Sequence, residues 1–349
     1  MSTQLVSLTQ QTKLRTPRLV IARADQIKPK AMRWLWPKRV PLGAITTFAG
    51  LPGEGKSLVV AYIIATVTTG QRFTDCENPL KEPADVLILA SEDDAESALV
   101  PRLMAAGADL SRVHIVQSSV TALGDEREVQ LDTDARHLKE AVDANPNIKL
   151  IVIDPVTDSL GQTPMYKEQE VRKVLRPLRM RDVATILNAH LNKKEGLTPI
   201  HRVGGAGAFI GLARSSWLFA THAETKQRQM LPLKNNYASR STPGLVYELE
   251  ETSVRIESKD EIVPKVNWIG ESDADANDIL DSATVRADAK AAAEEFLKEL
   301  LSEGPKEATG VEEAARQRKI AERTLRRAKA ALRVHSSKDG KRWMWSLPS

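Results

Sequence analysis

The feature that most limits what this chain can fold into is the stretch TTFAGLPGEGKSLVVAYIIA, beginning at Thr46. A short apolar run ends in glycine, a loop with spaced glycines follows, and an apolar helical segment begins at Lys56. Gly50, Leu51, Pro52, Gly53, Glu54, Gly55, Lys56 and Ser57 form the pattern Gly-x-x-x-x-Gly-Lys-Ser of a phosphate loop. Glycines suit it because the backbone must wrap closely around phosphates with its N–H groups turned inward. The pattern assigns Lys56 to the outer phosphates and the Ser57 hydroxyl to a Mg2+ ion. The helix start adds its positive end. A chance match in a turn is the competing reading, and the strand–loop–helix context argues against it. The ligand implied is a nucleoside triphosphate, ATP, bound with Mg2+.

The rest of the first two-thirds fits such a loop. ITTFAG, DVLILAS (85–91), VHIVQS (113–118), LIVIDP (150–155), ATILNAH (184–190) and SWLFATH (216–222) are strand candidates. Their continuous apolar character suggests strands buried on both faces, hence an α/β fold with a mostly parallel sheet. QMLPLKN and LVYELE read as an antiparallel hairpin on the sheet edge. Residues 1–30 read as a loose arm, and Trp34 and Trp36 as a lead-in packing on the first strand, with base stacking as the alternative. With 349 residues, two domains are the natural expectation. The longest apolar run, near Leu58 to Val67, is too short to span a bilayer, and no signal-peptide core is visible. The single cysteine, Cys76, rules out an internal disulfide. Together these point to a cytoplasmic protein with no membrane partner.

Hydrolysis needs carboxylates near the phosphates. Asp154, ending LIVIDP, is the expected second metal residue; a turn-capping Asp is the alternative. Glu92, at the tip of the strand after the phosphate-loop helix, is the expected base. Asp93 and Asp94 are expected to cap the next helix, and Glu54 to face solvent.

A phosphate loop, then a glutamate ending the next strand, then Asp154 in IVIDP resembles the RecA-like ATPases. More narrowly the chain resembles the RepA-type group of hexameric replicative helicases of plasmids and phages, over residues 35 to 268. NAHLNKKEG is similar to that group's His-x-x-Lys stretch, GAGAFIGLARSSWLF to its Gly/Ala-rich run ending in arginine, and LPLKNNY to its Lys-x-Asn stretch. The resemblance implies a RecA-like P-loop NTPase core, His190 as a γ-phosphate sensor, and Arg214 and Lys234 as cations donated to a neighbouring subunit's site in a ring. A strand-end histidine and ordinary surface charges are the plainer readings. The group often has Arg-Gly-Ser where this chain has Arg202-Val203-Gly204-Gly205.

The loop 192–209 carries Lys193, Lys194, His201 and Arg202 among glycines. In a ring it would face the channel and follow single-stranded DNA. TDSLGQTPMYKEQE, with Tyr166 available to stack on a base, would be its companion. The plainer alternative is a pair of surface loops.

The acidic stretch GESDADANDILDSA reads as a linker over 269–283. From residue 284, Phe296 with Leu300 and Leu297 with Leu301 make an amphipathic helix. GVEEAARQR reads as a second helix. AERTLRRAKAAL reads as a third, with Ala321, Leu325, Ala328 and Leu332 on one face and Arg323, Arg326 and Arg327 opposite. Two short strands around Asp339-Gly340 follow. This reads as a small C-terminal winged-helix domain, 284–349. Between Arg316 and Arg342 eleven Lys/Arg, including Lys341, face only Glu322 and Asp339. Net charge over the whole chain is only +4, so this concentration carries the argument. An arginine face on a third helix suits a duplex groove; a solvated face or a protein-docking module is the alternative.

These expectations combine into a ring-forming DNA helicase of replication that hydrolyses ATP. The competing reading is an ATP-switched DNA-binding regulator without helicase activity. A small-molecule kinase is disfavoured, since nothing resembles an acceptor pocket or lid.

Overall fold

The computed structural model describes residues 21–191, 206–222, 225–238, 242–318, 320–340 and 342–348. The chain divides into two compact units, Met1–Met32 and Arg33–Ser349. In the first, the described residues 21–32 are exposed and hold one 3-10 turn, Ala24–Gln26.

The second unit is built on a nine-stranded sheet. It opens with a small antiparallel pair, β1 (Trp34–Trp36) and β2 (Val40–Pro41), followed by β3 (Ile45–Gly50). The helix α1 (Lys56–Thr69) leads to β4 (Asp85–Ala90), α2 (Val100–Ala106) and β5 (Val113–Ile115). A short hairpin, β6 (Ser119–Val120) with β7 (Glu126–Arg127), precedes α3 (Leu131–Ala144) and β8 (Ile148–Asp154). Then come α4 (Glu168–Leu175), β9 (Ala184–His190), α5 (Ala206–Leu212), β10 (Ser215–Thr221), β11 (Arg228–Asn235), β12 (Gly244–Ile256) and β13 (Lys259–Ser272). Across the sheet the order is β13-β12-β11-β10-β3-β9-β8-β4-β5. The stretch from β5 to β10 is parallel, and β10 to β13 is antiparallel.

The six expected strands all form; all but the edge strand β5 are apolar and largely buried on both faces. Every residue of β3 is buried. One face packs α1 with Trp36, Phe48 and Trp217; the other packs α3 and α4. Trp36 fulfils the packing expectation: its ring stacks on Phe73 with centroids 4.9 Å apart, and its indole N–H donates to Asp75. QMLPLKN and LVYELE do pair, as β11 and β12.

Two sequence expectations need correction. The sheet does not end at β12. Residues 259–272 add β13, whose charged, interrupted sequence lacks a strand-like apolar run because it is an edge strand; Pro264 is tolerated there for the same reason. The proposed linker 269–283 is no linker either. β13 runs through Ser272, and a 26-residue helix, α6 (Ala276–Leu301), begins four residues later. Its acidic residues Asp273 and Asp275 precede the helix start, where negative charge is favoured. Ala276 is buried and Ile279 partly buried against the core.

Beyond Leu301 lie β14 (Lys306–Glu307), α7 (Ala308–Gln317), α8 (Glu322–Ala331), β15 (His335–Asp339) and β16 (Arg342–Ser346). The three strands form a sheet in the order β14-β16-β15, with Asp339 opposite Arg342 at the expected turn. This region has its own apolar core, including Phe296, Leu297, Leu325, Ala328 and Trp345. Ala321 lies outside that stripe, exposed at the start of α8. No helix among the described residues is long and apolar enough to cross a membrane.

Candidate functional site

Strand order places the site. β3, β9, β8 and β4 are adjacent and parallel, so their C-terminal tips line one edge of the sheet. Gly50 lies opposite His190, and Ala90 opposite Asp154. Glu92 follows two residues after Ala90. The phosphate loop, His190, Asp154 and Glu92 therefore converge, although they are spread over about 140 residues of sequence.

The loop has the backbone its glycines permit. Gly53 and Gly55 have φ of 82° and 89°, a conformation that L side chains rarely adopt. Gly50 has no room for a side chain: a Cβ there would lie 2.5 Å from the Phe219 carbonyl oxygen. Tyr247 covers the outer side of the loop, donating its hydroxyl to the Glu54 carbonyl and setting its ring against Gly55. Glu54 is half-buried and does not simply face solvent. Its carboxylate accepts a 2.7 Å hydrogen bond from Thr221 at the end of β10, which turns it away from the loop's concave side.

Lys56 is buried, and burial lowers its pKa. Its ammonium folds back onto its own loop, donating to the carbonyls of Gly50 (2.9 Å) and Leu51 (3.1 Å). The third contact is His190 Nδ1, at 3.4 Å. An ammonium can only donate, so Nδ1 accepts and the ring proton sits on Nε2. Nε2 faces Glu92 Oε2 at 3.2 Å. His190 thus joins the loop lysine to the expected base.

The Ser57 hydroxyl donates to Asp154 Oδ2 at 2.7 Å. Burial pushes the Asp154 carboxyl pKa up, so an added cation would find a carboxylate poorly compensated by the protein alone. Of the two acids after Glu92, Asp94 caps as expected, accepting from the Ser97 N–H at 2.8 Å at the start of the turn into α2. Asp93 instead pairs with Arg102 on α2. Asn188 is a site residue that sequence reasoning missed. It is fully buried on β9, and neither amide atom has a hydrogen-bond partner. The visible signal was a polar amide inside the apolar run ATILNAH. Tyr247 and Thr221 gave no signal, because only the folded sheet brings β10 and β12 to the loop.

The residues present fit a bound nucleoside triphosphate and divalent cation. The loop's concave backbone admits no Cβ at Gly50, a buried ammonium lies at its base, and a hydroxyl–carboxylate pair sits at the helix start. Among the described residues no cluster of three His, Cys, Asp or Glu could hold a metal without other ligands.

Arg214 and Lys234 lie elsewhere. Ser215 pairs with Thr46, near the start of β3, and Lys234 lies opposite Ser216. Both cations therefore sit toward the opposite edge of the sheet from the loop. The Lys234 ammonium donates to the carbonyls of Ile210 (2.9 Å) and Gly211 (3.2 Å), closing the end of α5. Its pKa is lowered by burial and by the nearby Arg214 and Arg172 cations. Arg214 Nε is buried without a hydrogen-bond partner.

Tyr166 is 83% exposed, available for the contact expected of it. Lys193, Lys194, His201, Arg202 and Lys341 lie outside the described residues. Arg323 and Arg327 are on α8, and Arg326 beside them is exposed and paired with Glu322.

An edge of parallel strands carrying a glycine loop, a buried lysine and a hydroxyl–carboxylate pair defines a P-loop nucleotide-binding protein. Consistent with that, a family model described as an AAA domain matches residues 10–196, and the chain belongs to this family. That match covers the loop, Glu92, Asp154 and His190 and supports an ATPase. No curated protein matches the chain.

Proposed function

We propose that the chain is an ATP-driven, ring-forming DNA translocase of replication, a helicase assembled as a hexamer in the cytoplasm. ATP and Mg2+ would be held by the loop Gly50–Ser57 and Asp154. Glu92 would act as the base, with His190 sensing the γ-phosphate through the contact it already makes to Lys56. The observation that carries this reading is the segregation of charge between the two sheet edges. The loop, Glu92 and His190 occupy one edge, while Arg214 and Lys234 sit toward the other, where a neighbouring subunit's nucleotide could be met. Cations so placed stabilise phosphoryl charge when supplied in trans. Single-stranded DNA would follow Lys193, Lys194 and Arg202 in the channel. The region 284–349, read as a winged helix, would grip duplex DNA through Arg323, Arg326, Arg327 and Lys341. Its helices, its three-stranded sheet and its separate apolar core support that reading.

The test is strand displacement. The full-length protein should release an annealed strand with ATP and not with a non-hydrolysable analogue. ATP-dependent duplex binding without displacement would instead favour a nucleotide-switched regulator.

A further inference from the structure

The amide of Asn188 is the buried polar group that the site described above leaves unexplained. An unpaired buried amide costs roughly 1–3 kcal/mol relative to a paired one, whereas the strand's other buried polar side chain, Thr185, is satisfied by the Leu178 carbonyl at 2.8 Å. Its position is set by register. Ile153 pairs with Leu187, so the next pair along β8 and β9 is Asp154 with Asn188; the Val156 N–H donates to the Asn188 carbonyl at 2.9 Å. Leu150 and Val152, four and two residues before Asp154, share a core cluster with α1, as do Ala184 and Ile186 before Asn188. Alternation along a strand therefore turns both Asp154 and Asn188 toward α1. The lateral neighbour of Asn188 on its other side is Phe48, which offers it no polar atom. The amide is thus boxed between an aromatic ring and the carboxylate that would hold the cation.

Asp154 uses Oδ2 to accept from Ser57. An amide N–H2 is a neutral donor, so it can compensate the second oxygen without adding a competing cation. We propose that Asn188 is a positioning residue of the divalent-cation site: once a cation draws on Asp154, the amide N–H2 beside it is the donor that would hold the carboxylate next to Ser57, which accounts for an amide kept in the core without a partner. The inference rests on the nucleotide-binding reading of the loop.

The experiment uses the full-length chain and a fluorescent ATP analogue. Binding is titrated with Mg2+, repeated in EDTA, and accompanied by thermal melting without nucleotide. Asn188→Leu removes both amide atoms and keeps the volume; Asn188→Ala is the fallback if the leucine variant does not fold. The expected result is a Mg2+ midpoint raised about tenfold, within the range for loss of a residue that orients a metal ligand. Nucleotide affinity in EDTA should stay at the wild-type value, and the melting temperature should hold or rise. A Mg2+ midpoint equal to wild type overturns the inference, whatever the melting temperature does. So does an equal loss of affinity in EDTA, which would mean a distorted loop. If the wild type itself shows no Mg2+-dependent nucleotide binding, the nucleotide reading fails, and the inference with it.

Discussion

At the scale of single residues, the site is a chain of contacts: Glu92 to His190, His190 to Lys56, Lys56 to the loop carbonyls. Each link makes a separable prediction. Lys56→Ala should abolish hydrolysis and weaken ATP binding, since it removes the ammonium that folds onto the loop's own carbonyls. Glu92→Gln keeps the shape and the contact to His190 but cannot take a proton. It should bind ATP normally and turn over roughly 10²–10⁴ times more slowly, the usual worth of a general base. A wild-type rate in single-turnover assays would move the role to another carboxylate. Asp93 is then a weak candidate, because its carboxylate is already paired with Arg102. Glu92, His190 and Lys56 could be named from the sequence because each ends or begins an element with a distinct signal. Their contacts could not, because those depend on β9 lying between β3 and β8.

At the scale of elements, two polar knots pin the sheet and its flanks. Asp85, at the start of β4, accepts from Arg112, His114, Asn145 and Asn147. Burial opposes its charge, but those hydrogen bonds outweigh burial and hold its carboxyl at about 2. Asp134 on α3 is similar: burial opposes, and bonds from Arg127, Gln130, Ser119 and His137 bring it to about 2. Both values lie below the unfolded carboxylate range near 3.9. The stability each provides is therefore complete above about pH 4 and is lost as pH falls toward 2. Asp85→Asn should flatten that acid limb in urea melts from pH 2 to 5, and hydrolysis at pH 7 should be unchanged, because Asp85 sits at the sheet edge away from the loop. Beyond these two, Arg39 is a further anchor, buried between Trp36 and Trp217 and paired with Asp75 at 2.9 Å. Arg39→Ala removes the cation paired with that carboxylate, leaving it the Trp36 indole N–H, and should destabilise by about 3 kcal/mol, the low end for breaking a buried pair, in equilibrium urea unfolding. None of the three was legible in the sequence. Asp85 and Arg39 look like surface charges there, and their partners lie up to 62 and 204 residues away. The strands themselves were legible, because burial on both faces writes an unbroken apolar run. The edge strand β13 and the start of α6 were not, because half-exposed elements carry charge that resembles a linker.

At the scale of the whole molecule, the proposed division of labour puts duplex DNA on the C-terminal region. Cutting the chain at residue 284 would sever α6 within its length, and its first turns pack on the ATPase core. Substitution is therefore a cleaner probe than truncation. Arg326 and Lys338 are exposed, on α8 and β15 respectively, and lie outside the apolar core that contains Leu325 and Trp345. Arg326 is paired only with the equally exposed Glu322, a surface pair worth little to the fold. Arg318 is unsuitable, because it pairs with Glu299 and covers the Phe296 ring. The double variant Arg326→Gln, Lys338→Gln should melt within about a degree or two of wild type, as surface changes do. If both residues meet phosphates, the slope of log affinity against log salt should become shallower by roughly 0.9 for each, about 1.8 together. The loss should be similar for unrelated duplex sequences, because phosphate contacts position without reading bases. If the proposed reading holds, single-stranded DNA-stimulated hydrolysis should remain, since the residues proposed to follow single-stranded DNA are untouched. Identical salt slopes for the variant and the wild type would take these two residues off the DNA path. A loss confined to one duplex sequence would assign them to base recognition instead, which would suit a regulator tied to one site better than a motor that must move along any sequence.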